Sequence, residues 1–303
     1  MVWLRMSRRT DMFVTRLISG ILLVIIALAT ILAGGGVLAV TLCLISLIAY
    51  RELTKACNIH TEGKKWNALE LAGTVLTVAY YAMLLMTLYY GMENGDGVQT
   101  VYPVVMIAVV AGLILFLFIY VFAFPRYQAP QVMAAMFSWL YAPVLLSFIY
   151  LIREGFSYGN YLVWFVFLCS WGSDTCAYAV GVLIGRHKMT PKLSPKKSIE
   201  GAVGGVLGAA LLCMLYVYFA VNRYTDAALP LPIAALLGAA GALVSMIGDL
   251  AASAIKRDHD IKDYGRLIPG HGGIMDRFDS VIIAAPLIFI GLVMIGSVTG
   301  AYL

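Results

Sequence analysis

Apolar residues come in long runs along this chain, separated by short polar breaks. A hydrocarbon core of roughly 30 Å takes about 20 helical residues to cross. Runs of that order fall at nine places, 16–33, 37–53, 69–90, 102–122, 131–151, 161–184, 201–221, 231–255 and 274–299. The pattern predicts an all-α, polytopic integral membrane protein of about nine transmembrane helices. Gly34, Gly35 and Gly36 alone separate the first two runs, which predicts a tight hairpin. The first run follows a basic segment, but no small-residue cleavage pattern and soluble domain come after it, so it is expected to be a span and not a secretory signal.

Composition agrees with this reading. Hydrophobic residues make up 62% of the 303 positions and charged residues 12%, where soluble domains carry about 25% charged residues. The placement of Lys and Arg tests the number of spans, because a miscount would scramble their alternation between sides. With the N-terminus cytoplasmic, that side receives Arg5, Arg8, Arg9, Arg16, Arg51, Lys55, Lys64, Lys65 and Arg126. It also receives the clusters Arg186, Lys188, Lys192, Lys196, Lys197 and Lys256, Arg257, Lys262, Arg266, Arg277. Of 21 basic residues, only Arg153 and Arg223 fall on the opposite side, where the C-terminus is also expected. The net charge of +5 therefore reflects topology and a cytoplasmic anion site, and nucleic acid is not an expected partner. Cys43, Cys57, Cys169, Cys176 and Cys213 lie in or beside apolar runs without CxxC spacing, and read as small core residues.

One integral membrane domain with two unlike parts is expected. Residues 1–155 supply about five uniformly apolar spans. Residues 156–303 supply about four, with charges inside spans and longer cytoplasmic loops at 186–200 and 256–277. Gly181 and Gly185, Gly201 and Gly205, and Gly204 and Gly208 are each four apart. That spacing lets helices approach closely in a bilayer and predicts a tightly packed C-terminal bundle.

The chemistry concentrates in this second part. Asp174, in Trp171-Gly-Ser-Asp-Thr-Cys-Ala-Tyr178, sits inside an apolar span, where an ionised carboxylate costs at least a few kcal/mol on insertion scales and needs a cation or hydrogen-bonding partner. Leu193-Ser-Pro-Lys-Lys-Ser-Ile-Glu200 leads into a glycine-rich helix. Ser198 or a neighbour can cap that helix, whose N-terminal amides favour a phosphate beside Lys196 and Lys197. Asp249, Ser253, Lys256 and Arg257 fall at i, i+4, i+7 and i+8, one stripe of a helix. The loop beyond carries Lys262, Asp263 and the turn Pro269-Gly-His-Gly-Gly273 before Asp276-Arg-Phe-Asp279 opens the last span. Asp276 and Asp279, three apart, share a face of its first turn, where carboxylates also suit the helix dipole. Facing Asp249, they make an oxygen-rich site suited to Mg²⁺, which takes one or two protein carboxylates plus substrate phosphates. His271, between glycines, is expected to contact a phosphate or base or to order the turn, more than to act as a general base.

These residues resemble the signature of the phosphatidate cytidylyltransferases, or CDP-diacylglycerol synthases. The family pattern is Ser, two residues, Lys-Arg, four residues, Lys-Asp, a spacer, His-Gly-Gly, two residues, Asp-Arg, one residue, Asp. It is met at Ser253, Lys256, Arg257, Lys262, Asp263, His271, Gly272, Gly273, Asp276, Arg277 and Asp279. The segments Asp174-Thr-x-Ala-Tyr178 and Ser194-Pro-Lys-Lys-Ser-x-Glu-Gly201 are also similar to family segments, with Ser198 where Thr is frequent. The C-terminal half resembles the family closely and the N-terminal half in hydrophobic outline.

The resemblance implies transfer of a cytidylyl group from CTP to phosphatidic acid in phospholipid biosynthesis, giving CDP-diacylglycerol and pyrophosphate. It also implies an Mg²⁺ cofactor with a possible second cation, and a homodimer in a bacterial-type inner membrane with its active site facing the cytoplasm. On this reading Asp249 and Asp276 are the principal metal ligands, with Asp279 or Asp174 supporting or holding the second cation. Lys256, Arg257, Lys262 and Arg277, and Lys197 with them, bind the triphosphate and the lipid phosphate. Two other readings are a CTP-dependent membrane lipid kinase of the dolichol or phytol kinase type, and an ion-coupled transporter. The transporter is disfavoured by the absence of a convincing inverted repeat and by charge gathered on one side of the membrane.

Overall fold

The computed structural model describes residues 2–59, 66–94, 97–270 and 272–299. Its helices are α1 (Val2–Ala33), α2 (Gly35–Ala56), α3 (Ala68–Asn94), α4 (Gly97–Phe122), α5 (Ala129–Gly155), α6 (Gly159–Ile184), α7 (Ile199–Tyr224), α8 (Leu231–Asp258) and α9 (Met275–Thr299). Eight of them, α2 to α9, contain stretches long and apolar enough to cross a membrane among the described residues, and the chain is an all-α multi-pass membrane protein. The first expected span is the shortest, an apolar run of Ile18–Ala33 within α1. Its neighbours place it all the same. At one end Arg153 Nε donates to the Ile31 carbonyl (3.0 Å) and Gly35 N donates to Glu154 Oε1 (2.7 Å). At the other, Ser19 Oγ donates to the Pro269 carbonyl (3.1 Å). The run is thus held against the rest of the protein at both ends, and the glycine hairpin turns at Gly34, which has φ +63°.

The helices divide by burial. In α5 and α9, 61% of the spanning stretch is buried inside the protein, against 11% in α4, so the first two form the centre and α4 lies at the periphery. Large apolar side chains exposed on α1, α4 and α7 (Ile21, Phe118 and Leu207 among them) are at home against acyl chains, which are as apolar as leucine. Short polar networks hold the ends of the N-terminal helices. Asn67 and Glu70 exchange bonds as a capping box, Asn67 N to Glu70 Oε2 (3.0 Å) and Glu70 N to Asn67 Oδ1 (2.8 Å), which starts α3. Tyr50 Oη donates to the Leu69 carbonyl (3.0 Å), pinning α2 to the same turn.

The C-terminal bundle packs through small residues, as the glycine spacing predicts. A Cβ on Gly201 would stand 2.8 Å from the Ala177 carbonyl, and one on Gly205 3.0 Å from Ser173 Oγ, so α7 lies directly on α6. Gly248 brings α8 equally close to α9, its notional Cβ 2.8 Å from the Asp279 carbonyl. All five cysteines are free. The stretch expected as a plain loop at 186–200 contains an antiparallel hairpin, β1 (Lys188–Thr190) paired with β2 (Ser194–Ser198).

The contact between α2 and α3 gives a test. A Cβ on Gly73 would overlap the fully buried Tyr50 ring. The substitution Gly73→Ala is expected to destabilise the protein by about 1–3 kcal/mol, the usual cost of overpacking, read as a lower midpoint of thermal unfolding in detergent. An unchanged midpoint would show that this helix crossing yields.

Candidate active site

Each close helix crossing carries one part of the site. The approach of α7 to α6 at Gly201 and Gly181 sets the turn bearing Ser198 beside the face of α6 that bears Asp174. Ser198 Oγ accepts from Gly201 N (3.1 Å), the N-cap expected for this helix. The approach of α9 to α8 at Gly248 sets Asp279 beside Asp249. Between the two crossings lies a cavity of about 540 Å³. Asp174, Asp249, Asp276 and Asp279 line it together with Lys188, Lys196, Lys197, Ser198 and Arg277.

Two lysines divide these carboxylates. Lys197 forms an ion pair with Asp249, linking the end of β2 to α8. Lys256 Nζ meets Asp276 Oδ1 at 2.9 Å, with only 13% and 3% of the two side chains exposed. The other oxygen of Asp276 accepts from Tyr264 N (2.8 Å) and Gly273 N (3.0 Å). One carboxylate thereby ties the middle of the loop that follows α8, at Tyr264, and its end, at Gly273, to the start of α9. Gly272 holds φ +87° there, and a Cβ at that position would come within 2.9 Å of Asp276 Oδ2, so glycine is required by conformation and by space. Among the described residues, no three Asp, Glu, His or Cys side chains converge as a ready-made metal cluster, since each lysine interposes an ammonium.

The remaining sequence candidates are more dispersed. Ser253, Arg257, Lys262, Asp263, Gly272 and Gly273 do not line the cavity, and Lys256 is joined to it through Asp276. Arg257, Lys262 and Asp263 are exposed at the mouth of the loop. His271 lies outside the described residues. Arg277 and three of the carboxylates, Asp174, Asp276 and Asp279, also line a second cavity of about 310 Å³, walled on its other side by Gly20, Leu23 and Val24 of α1 and by Trp171 and Phe278.

Two supporting residues went unnoticed in the sequence. Tyr264 is buried under the loop, donates from its hydroxyl to the Ala252 carbonyl (2.8 Å), and lies 5.3 Å beneath the Lys256 ammonium. Burial pushes its phenol well above the usual range, so it acts as a neutral donor. An aromatic residue amid the charges of this loop was its only signal. Glu52, at the end of α2, accepts from Ile274 N (3.2 Å) and Met275 N (2.8 Å). A single glutamate between Arg51 and Lys55 gives no such indication in sequence.

Comparison with known proteins matches this architecture over nearly its whole length. A model of the cytidylyltransferase family matches residues 14–295. Proteins named phosphatidate cytidylyltransferase are similar along almost all of the chain. The one from Staphylococcus epidermidis (strain RP62A) is 30% identical over 283 residues, covering 92% of this chain and 98% of its own. The one from Staphylococcus haemolyticus is 30% identical over 278 residues, with the same coverage of each. That of Staphylococcus aureus (strain COL) is 31% identical over 278 residues, again with 92% and 98% covered. With its matched segment running from α1 through the buried carboxylates of α9, the chain belongs to the cytidylyltransferase family.

Proposed function

We propose that this protein is a phosphatidate cytidylyltransferase that joins CTP to phosphatidic acid at the polar end of its helical bundle, releasing pyrophosphate. The observation that carries this reading is the cavity in which Asp174, Asp249, Asp276 and Asp279 meet Lys188, Lys196, Lys197 and Arg277. A phosphate oxygen of phosphatidic acid forms the new bond to the α-phosphorus of CTP, and the bond from that phosphorus to the bridging oxygen of the β-phosphate breaks. The attacking oxygen is already anionic, so no general base is needed. The task is charge neutralisation and in-line placement.

Lys188, Lys196 and Lys197, with the N-terminal amides of α7, form the cationic side of the cavity and suit a polyphosphate. Arg277 opens onto both cavities and suits the lipid phosphate. The second cavity, with apolar walls from α1, Trp171 and Phe278, gives the acyl end of the lipid a route from the bilayer. The carboxylates that line the cavity, though not gathered into one cluster, are the donor type that suits Mg²⁺, a hard cation that prefers oxygen ligands. Asp249 and Asp279 line the cavity and would hold the ion, while Asp276 has one lone pair left beside Lys256. When bound, the ion would supply charge neutralisation and orient the phosphates. Lys197, paired with Asp249 at the cavity wall, would stand beside the triphosphate.

The whole reading is tested with purified protein, phosphatidic acid and CTP labelled in the cytidine ring. Lipid-bound label and pyrophosphate are expected with Mg²⁺ and neither without it. In a parallel reaction with CTP labelled at the γ-phosphate, label on the lipid with cytidine left in solution would favour a kinase and overturn the assignment. Asp249→Asn is expected to lower kcat at least 100-fold, since it removes charge at both the cation site and the Lys197 partner. A loss under threefold would remove Asp249 from the machinery.

A cytoplasmic active site with the N-terminus on the same side is part of this proposal. Its test uses a cysteine-free background carrying Lys192→Cys at the exposed turn of the hairpin. A membrane-impermeant maleimide is expected to label inverted vesicles and spare intact cells. Labelling of intact cells would reverse the orientation.

A further inference from the structure

The loop 259–274 carries much of the family signature, yet its last residues are held by a side chain from the opposite end of the sequence. Both carboxylate oxygens of Glu52 are used, Oε1 by Ile274 N and Oε2 by Met275 N. These amides open the first turn of α9, the turn from which Asp276, Arg277 and Asp279 project. Two loop glycines close around the same carboxylate. A Cβ on Gly265 or on Gly273 would collide with it. Glu52 therefore fills a slot formed by the middle of the loop at Gly265, its end at Gly273 and the helix that follows. It is half-buried, its neighbours Leu53 and Thr54 are fully buried, and α2 is itself fixed by the Tyr50 bond to α3. The slot is thus referenced to a rigid element outside the C-terminal bundle.

The consequence for chemistry is geometric. Asp276 and Asp279 lie one and four residues beyond Met275, so a rotation or shift of the first turn of α9 moves both carboxylates and Arg277 together. Asp276 fixes the turn from the α8 side through Lys256, and Glu52 fixes it from the α2 side. Removal of either leaves the turn held on one side only. We propose that Glu52 is a positioning residue for the transfer reaction, setting the placement of Asp276, Arg277 and Asp279 through the two amides it accepts. This rests on the assignment of those three residues to the active site made above.

The test compares Glu52→Gln and Gly265→Ala with the parent in the full-length, detergent-solubilised protein. Glu52→Gln keeps the shape of the side chain but can accept through one oxygen only. Gly265→Ala leaves the glutamate intact and displaces its flexible end. Both are expected to lower kcat by 10- to 100-fold, to change KM for CTP by less than threefold and to leave the thermal midpoint within a few degrees. Both are also expected to speed trypsin cleavage at Arg266, which is exposed at the loop surface. A kcat within twofold of the parent in either variant would overturn the proposal. So would activity that falls only in proportion to the folded fraction, which would mark a purely structural cap. If the parent itself makes no cytidylylated lipid, the functional reading fails, and the cleavage rates alone decide whether Glu52 holds the loop.

Discussion

A carboxylate buried at the edge of a bilayer must find its partners within the protein, because an uncompensated charge there costs several kcal/mol. Asp276 finds three: the Lys256 ammonium and the amides of Tyr264 and Gly273. The rest of the site follows from that arrangement. The ion pair joins α8 to α9, and the two amides bring the middle and the end of the intervening loop onto α9. The Tyr264 ring that this folding buries lies beneath the same ammonium. A loop rich in glycine and charge, with little apolar surface of its own, acquires a defined path from a single side chain.

The second constraint is steric. Helices that carry carboxylates into an apolar bundle must come close enough for the charges to share partners, and bulky side chains would keep them apart. Small residues at the crossings resolve this. Gly248 stands beside Asp249 and against the Asp279 carbonyl, and Gly201 follows the Lys197–Ser198 turn and rests against α6. Closeness and charge are adjacent in sequence at both crossings, which is why the cavity forms where the crossings meet.

Much of this was legible in the sequence, and the parts that were not share a cause. The apolar runs gave the spans closely. Positions 231–255 became Leu231–Asp258, and 161–184 became Gly159–Ile184, because a bilayer imposes one length scale on every helix. The carboxylates of the cavity were each visible as charges out of place. Periodicity went astray with the stripe of Asp249, Ser253, Lys256 and Arg257. Asp249 and Lys256 share a face, but seven residues separate them by about 10 Å along the axis, so they meet different partners, Lys197 and Asp276. Arg257 falls off the edge of the stripe and is exposed. The hairpin at 188–198 was invisible because its strands are short and polar. Glu52 was invisible because its partners are backbone amides more than 200 residues away, and backbone amides have no sequence signature.

The two helix N-termini near the cavity show how one backbone feature is put to opposite uses. Both α7 and α9 end in unpaired amides and a partial positive charge, which alone would attract phosphate. At α7 the cap is the neutral hydroxyl of Ser198, and Lys196 and Lys197 stand immediately before it. The Glu200 carboxylate of the same first turn is taken by the amides of Arg186 and His187 and by the His187 ring, so Lys196 and Lys197, and not Glu200, line the cavity. At α9 the amides of Gly273, Ile274 and Met275 are taken by two carboxylates, Asp276 and Glu52. That end is neutralised and no longer competes for an anion. The cavity is polarised as a result, with a phosphate-attracting wall at β2 and α7 and an oxygen-rich wall at α8 and α9. The two walls are therefore unlike for any anion that enters, because the cavity-lining charges are lysines at one helix end and carboxylates at the other.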